Sequence, residues 1–417
     1  MLKQQFAAFA EALSEKLGPK WFRLVRPIER QRALRKLREK SPFLIGITGS
    51  SGKSTVSRLL GEILSEGYDR DVHLGHINNT ERSVYRTLRK ITRSNQTIVQ
   101  EISAGGGPGY LDYLVDNIPL DVAVLTAIGS EHEEYFPSHD HIAVEKEKIV
   151  TALASGGIAC LNVDDENVRK IAQTIRKDVR LISVSSKQEA DVRAVVKTTN
   201  WKDRLSFDLE IAGARYFVQT RFVGTIVLPT ILLVFAVLHG LGLPLEAAIR
   251  KLEEIEPIEN RGDIGVAKSG HTFFLDSYKS PYWSTHAFFE DLPNLTEGKI
   301  VLVQGDVFFI GENEFQKHVE LLEHALQTAD LVIGTGSSFA AASKMQTEQG
   351  NNRIVACRTI DEVVECLRPH KDALIVLKSA RKSKLWRAYQ AFNEDVACKA
   401  LTCMLKTECS RCTHLNG

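Results

Sequence analysis

An apolar run over residues 43–48 leads into Gly46-Ile47-Thr48-Gly49-Ser50-Ser51-Gly52-Lys53-Ser54-Thr55, and a helical pattern starts at Lys53. A strand that turns through small residues into a helix gathers backbone N–H groups at the helix N-terminus, where they can close around phosphate oxygens. In that setting Lys53 reaches the outer phosphates and a hydroxyl of Ser54 or Thr55 ligates Mg²⁺. The spacing departs from the strict phosphate-loop form, because position 47 is Ile and the leading glycine lies one residue earlier. A merely structural turn is the plain alternative, but such a turn has no use for the Lys-Ser-Thr ending. Alone, the loop fits kinases, GTPases, motor ATPases and ligases equally well.

The rest of the chain narrows the fold. Short β-rich runs at 97–102, 121–128 and 157–161 alternate with helical patterns, one of them over 142–153. This predicts an α/β architecture with a mainly parallel sheet covered on both faces. Polar/apolar alternation from about 191 to 223 predicts antiparallel strands appended to that sheet. A second series of strands, at 272–275, 299–304, 330–334, 353–357 and 373–378, predicts a smaller Rossmann-like domain. At roughly 150 residues per domain, a chain of 417 residues divides into two or three. The expected divisions are a basic helical segment 1–40, a central ATP-binding domain 41–258, a C-terminal domain 259–392 and a Cys-containing tail 393–417.

Two segments invite other readings. Residues 1–40 hold eleven basic and four acidic residues, which makes either a solvated helical face or a basic docking face. They lack the apolar core of a signal peptide. Residues 226–245 carry no formal charge, but Pro229 and the Gly240, Gly242 and Pro244 cluster shorten the helix to about 230–239, roughly 15 Å and too short to span a bilayer. A net charge of +1 gives no general case for nucleic acid. Of the seven cysteines, Cys160, Cys357 and Cys366 sit in apolar runs, as reduced thiols of a cytoplasmic protein do. Cys398, Cys403, Cys409 and Cys412 could hold zinc, but the first pair is not the usual C-x2-C, and structural or incidental thiols are the favoured reading.

Further motifs discriminate among the phosphate-loop families. Glu101-Ile102-Ser103-Ala104-Gly105-Gly106-Gly107-Pro108-Gly109 ends one strand, where a carboxylate can face phosphates. The run Asp121-Val122-Ala123-Val124-Leu125-Thr126-Ala127-Ile128-Gly129-Ser130-Glu131-His132 ends another in a histidine, and Lys146 follows on a helix. His132-Glu133 begins like a zinc-protease motif, but Phe136 stands where the second histidine is needed. Together these resemble the Mur ligases, ADP-forming enzymes that join a carboxylate to an amino acid, and most nearly the branch that adds D-alanyl-D-alanine to a muramyl tripeptide. That branch has T-G-x-x-G-K followed by two hydroxyl residues, E-M-G-A-x-x-P-G, D-V-A-V-L-T-N-I-G-x-x-H and A-x-x-K-x-E-I in this order. Gly305-Asp306-Val307-Phe308-Phe309-Ile310-Gly311-Glu312 and Lys378-Ser379-Ala380-Arg381 are similar to its G-D-M-x-E-L-G-E and K-G-S-R.

The resemblance implies a set of roles. Thr48, Gly49, Ser50, Ser51, Gly52, Lys53, Ser54 and Thr55 would bind the ATP phosphates. Ser54 and Glu101 would hold one Mg²⁺, and His132 a second. Lys146 matches the lysine that the family carbamylates, which would let it support the second ion. Lys53, Glu101, His132 and Lys146 are thus the implied catalytic set. Asn162 and Arg261 match nucleotide-contacting positions, and Asp276 a position that meets the ribose; Asn162 reads equally well as a turn or cap residue. The pattern breaks in places. Lys148 stands where the helix motif has Glu, and Lys279 where several relatives have His. The family's G-x-H-N-x-x-N-A reads here Gly224-Thr225-Ile226-Val227-Leu228-Pro229-Thr230, without the His or either Asn, which implies weaker base selectivity with phosphate and metal contacts kept.

Only about forty residues precede the loop, where the muramyl ligases carry a domain that grips a UDP-sugar. The expectation is therefore an ATP- and Mg²⁺-dependent ligase that takes another small-molecule carboxylate, or one whose acceptor is recognised with a partner protein. The amine would come from an amino acid or dipeptide. No nucleic acid and no membrane span are expected. The alternatives are a folylpolyglutamate or poly-γ-glutamate type of ligase, and a nucleotide-binding scaffold subunit without turnover.

Overall fold

The computed structural model describes residues 19–394 except 76–78, 95, 130–134, 137 and 309–312. The tail cysteines and His132 lie outside the described residues, as does Glu312. In chain order the first strands are β1 (Phe43–Thr48), β2 (Val72–Leu74), β3 (Thr97–Glu101), β4 (Leu120–Leu125), β5 (Leu153–Asn162) and β6 (Arg180–Ser185). They are followed by β7 (Val192–Thr198), β8 (Ser206–Ile211) and β9 (Ala214–Gln219). Among the described residues these nine make one sheet, in the order β2-β3-β1-β4-β5-β6-β7-β8-β9. Pairing is parallel as far as β7, and β7, β8 and β9 are antiparallel, as the switch to alternation predicts.

Alternation along β1 sorts its side chains onto two cores. Leu44 joins a cluster with the 139–151 helix on one face, while Ile45 and Ile47 join the other face with helices 53–62 and 228–240. The uncharged stretch of the sequence is this last helix, Leu228–Gly240, and it is apolar all round because protein surrounds it. No helix among the described residues is long and apolar enough to cross a membrane. Of the basic N-terminal segment, Pro19–Lys40 is helical and packs against helix Glu81–Arg89. Ala33 is buried there, and Glu29 pairs with Arg82 at 3.3 Å and Arg89 at 3.2 Å, while Arg32, Arg35 and Arg38 face solvent.

The second sheet contains β10 (Asp263–Val266), β11 (Thr272–Asp276), β12 (Ile300–Gln304), β13 (Leu331–Gly334), β14 (Ile354–Ala356) and β15 (Leu374–Lys378). Its order is β10-β11-β15-β12-β13-β14, parallel except for the edge strand β10, which pairs antiparallel with β11. Sequence patterning identifies the five parallel strands and misses β10, a four-residue edge strand that begins just after a turn at Asn260 (φ 59°) and Gly262 (φ 83°). In the first sheet it also misses the short edge strand β2 and the strand β6.

Candidate active site

In the first sheet the chain passes from β1 beyond β3 to β2, and from β3 back across β1 to β4, so the connections leave the neighbouring strands β1 and β3 in opposite senses. The crevice at such a reversal, beyond the carboxyl ends of the strands, is where open α/β sheets receive ligands. Register brings the right residues to it: Ile47 of β1 is level with Glu101 of β3, and Thr48 with Leu125 of β4. The loop after β1 and the carboxylate that ends β3 therefore meet. Ser54 Oγ donates to Glu101 Oε2 at 3.2 Å, and the buried Lys53 Nζ donates to the carbonyl of Gly49.

The loop is held by the segment after β4. Ser50 N donates to Ala127 O at 2.7 Å, Gly129 N donates to Ser50 Oγ at 2.9 Å, and Thr126 Oγ1 donates to Ser51 O. Such close crossing explains which glycines the loop needs. Gly49 has φ +140°, and a Cβ there would lie 1.9 Å from Thr126 Oγ1. Gly52 has φ +78° as the residue before helix Lys53–Glu62, with Thr230 Oγ1 2.8 Å from where its Cβ would be. These two glycines, rather than Gly46 in the strand, make the turn.

The two sheets share a cavity of about 310 Å³. Ser50, Ser51, Gly52, Lys53, Ser54, Thr55 and Glu101 line it from the first sheet, and Arg261, Asp276, Tyr278, Lys279 and Lys378 from the second. Asp276 and Lys378 are register partners on β11 and β15, and their ion pair is 2.6 Å long. Lys378 Nζ also donates to Lys279 O at 2.8 Å. The Arg261 guanidinium stacks 3.8 Å from the centre of the Tyr278 ring, with Arg381 on the same ring at 5.5 Å. Thr48 and Gly49 support the loop from behind, Thr48 Oγ1 donating to Ile102 O at 2.8 Å.

Two further sequence-derived candidates, Asn162 and Lys146, are not among the described residues that line this cavity. Asn162 is buried and its amide is committed to structure: Nδ2 donates to Thr126 O at 2.8 Å and Oδ1 accepts from Asp164 N at 3.2 Å. It props the segment that holds the phosphate-loop turn, and it does not line the cavity. Lys146 sits on helix His139–Thr151 and is only 1 % exposed, unlike an ordinary surface lysine. Its neighbour Glu145 is buried as well and accepts from Gly109 N at 2.8 Å, from Leu111 N, and from Lys148 Nζ at 2.8 Å. Burial opposes the Lys148 charge, but hydrogen bonds to Asp112 and Glu145 hold its ammonium above the ordinary value. The lysine that replaces Glu in the helix motif thus braces the glycine-rich loop after β3. Asp306, of the Gly305-Asp306 motif, caps helix Ser338–Glu348 by accepting from Ser337 N, Ser338 N and Phe339 N at 2.7, 2.9 and 3.0 Å.

Two residues of helix Tyr282–Leu295 that sequence reasoning passes over join the sheets. The Trp283 indole packs on Gly129, whose Cβ, if it had one, would lie 2.3 Å from the ring. Asp291, 5 % exposed, accepts from Thr225 N at 2.8 and 3.0 Å, from Thr225 Oγ1 at 2.6 Å and from Ile226 N at 3.0 Å. No motif marks either residue, because each acts only through a partner far away in sequence.

Beside Arg261, Asp263 is unusual. Burial, aided by the nearby charges of Glu259 and Asp276, pushes its carboxyl from an ordinary 3.8 up to about 6, against hydrogen bonds from the backbone of Asp263 and Asn260. Its Oδ1 is buried with no hydrogen-bond partner among the described residues. The folded chain holds this proton while the unfolded chain releases it near 3.8, so stability falls as pH rises from about 4 to about 6 and stays lower above that window. Asp263→Asn is therefore expected to raise the thermal midpoint at pH 7.5 and to raise it less at pH 4. Thermal scans at the two pH values check this, and an equal change at both would refute it.

Comparison with known proteins agrees with this architecture. The Mur ligase middle domain family matches residues 47–238. A UDP-N-acetylmuramoyl-tripeptide–D-alanyl-D-alanine ligase of Mycobacterium bovis is 26% identical over 308 residues, which is 72% of this chain and 59% of that protein. A UDP-N-acetylmuramoyl-L-alanyl-D-glutamate–2,6-diaminopimelate ligase of Listeria monocytogenes is 24% identical, covering 85% of this chain and 72% of that one. The chain thus spans under two thirds of the length of the Mycobacterium relative. Among solved structures, MurF of Acinetobacter baumannii superposes with a TM-score of 0.75 at 23% identity, over 88% of this chain and 80% of that one. MurF ligase of Thermotoga maritima in complex with ADP gives 0.74 at 22% identity, over 88% and 83%. Residues 47–238 are a Mur ligase middle domain, set in a chain that has the Mur ligase fold.

Proposed function

We propose that the protein is an ATP-dependent ligase that joins a small-molecule carboxylate to the amine of an amino acid or dipeptide. One observation carries the reading: Lys53, Ser54 and Glu101 converge at one end of a cavity whose other wall, with Arg261, Asp276 and Lys378, comes from the second sheet. Family membership of the central region and the ADP complex of the Thermotoga maritima ligase support it. The division of labour follows the two sheets, with the boundary we place near residue 258: 41–258 for the nucleotide, 259–392 closing over it.

In this reading a carboxylate oxygen attacks the γ-phosphorus in line, the bond to the β-phosphate oxygen breaks, and ADP leaves an acyl phosphate. The amine then attacks the acyl carbon, phosphate departs with the C–O electron pair, and the surplus proton leaves the nitrogen. Lys53 and the loop N–H groups offset charge that grows on the phosphoryl oxygens. Ser54 Oγ and the Glu101 carboxylate are hard oxygen donors, as Mg²⁺ prefers, and the ion would neutralise phosphate charge there. A second ion would draw on His132 and on Lys146 as a carbamate, an anion that suits a hard cation better than an ammonium does. We place the chain in the cytoplasm, where ATP meets conditions that keep buried thiols such as Cys160 reduced.

The test is phosphate release from ATP and Mg²⁺ with pooled amino acids and candidate acids, followed by mass analysis of the product. Amide formation that depends on Lys53 is the expected result. Nucleotide binding with no Lys53-dependent turnover under any pool would instead favour a scaffold role.

A further inference from the structure

Two thiols of the second sheet's core lie against one another. Cys357 directly follows β14, and Cys366 stands in the last turn of helix Ile360–Leu367, whose Ile360, Val363 and Leu367 share a core cluster with Cys357. Their sulfurs are 3.7 Å apart. The fold fixes both sides of this contact: Cys357 N donates to Gly334 O at 2.9 Å, at the end of β13, and Thr359 Oγ1 caps the helix by accepting from Glu362 N at 3.2 Å. The two residues differ in access. Cys357 is 1 % exposed, whereas Cys366 is half-buried at the margin of the cluster. Burial, aided by the neighbouring Cys366 and Glu362, pushes the Cys357 thiol up. Thiol reactivity follows thiolate character and exposure, so Cys366 is the one that meets a reagent from solvent. Neither cysteine lines the cavity between the sheets.

We propose that Cys357 and Cys366 are a redox-active dithiol, which closes reversibly to a disulfide when the chain meets a low-molecular-weight disulfide such as oxidised glutathione. The Cys366 thiolate attacks one glutathione sulfur; a mixed disulfide forms, the glutathione S–S bond breaks and one glutathione leaves as thiolate. Cys357 then gives its proton to solvent and attacks the Cys366 sulfur, and the second glutathione leaves as thiolate. Two electrons have passed from the cysteines to the glutathione disulfide. A disulfide needs its sulfurs about 2.05 Å apart, so they approach by roughly 1.7 Å, a distance that rotation about the Cα–Cβ bonds covers. The closed bond ties the end of β14 to the last turn of helix Ile360–Leu367 through a ring of ten residues, 357–366.

The experiment uses the full chain, reduced, then held with oxidised glutathione under native conditions, capped with N-ethylmaleimide and digested with trypsin without reductant. Arg358 separates the two cysteines, so mass analysis finds residues 354–358 joined to 359–371 only where the bond exists. The expected result is the joined pair in most chains, released by dithiothreitol. Cys357→Ser is expected to stop at the mixed disulfide of Cys366 with glutathione, and Cys366→Ser to leave Cys357 unmodified. Closing the ring restricts the unfolded chain, so the oxidised protein is expected to melt about 5 °C above the reduced one, a difference that Cys366→Ser removes. Both thiols remaining free, a joined pair seen only in urea, or Cys366 joined to Cys398, Cys403, Cys409 or Cys412 in place of Cys357 would overturn the proposal. So would an oxidised protein that melts below the reduced one, because the bond would then form only by distorting the fold.

Discussion

Replacing Lys53 with alanine is expected to lower amino-acid-dependent phosphate release by about a hundred- to a thousandfold, with the unfolding free energy changed by no more than about 1 kcal/mol. Lys53 opens helix Lys53–Glu62 and hydrogen-bonds to Gly49 O within its own loop. Alanine is a strong helix former, so truncation leaves the helix and the strands beneath it in place. It removes the one loop side chain whose positive charge can follow the phosphoryl group as it transfers. Steady-state assays beside denaturant unfolding of the same preparations check the two halves separately. Undiminished turnover in a folded Lys53→Ala protein would remove the loop from the chemistry.

Asp291→Ala is expected to cost about 3 kcal/mol of stability, because it strips the acceptor from two backbone N–H groups and a hydroxyl that lie in a partly buried turn. The same carboxylate accepts from Asn294 Nδ2 at 2.9 Å, so its own helix loses a contact as well. Asp291→Asn keeps one acceptor oxygen and is expected to cost less, about 1 kcal/mol. The effect should be concentrated where the sheets meet, since Trp201 N donates to Leu295 O at 2.9 Å and Thr199 Oγ1 to Asn294 O at 2.8 Å along the same seam. Hydrogen exchange would then show residues 224–227 losing protection before the strands of either sheet. If both variants unfold at the wild-type denaturant midpoint, Asp291 does not join the two sheets in solution.

These two residues differ in how far a reading of the chain could find them. Lys53, Ser54 and Glu101 stand out in the sequence because each belongs to a short run whose spacing carries its own geometry: a strand, a tight turn, a helix start. The same holds for the uncharged stretch around Leu228–Gly240, where Pro and Gly punctuation limits the helix and its burial follows. Asn162 shows the limit of motif reading. Its position in a Leu-Asn-Val-Asp-Asp turn is compatible with either a ligand contact or a structural amide, and only its bonds to Thr126 and Asp164 separate them. The motif singles out Lys146, yet its burial depends on packing that its helix's weak amphipathic pattern does not reveal.

What the order of amino acids determined unaided was the parallel α/β framework, the glycine turn and the carboxylate at the end of the neighbouring strand, because periodicity and turn chemistry are local properties. What only the tertiary structure decided was the company these groups keep. The Asp276–Lys378 pair spans more than a hundred residues, Trp283 lies against Gly129, and Asp291 takes the donors of the 225–226 turn. Such contacts form where strand register and helix packing bring distant segments together, and a single aspartate or tryptophan on a helix gives no sign in advance of which segment that will be.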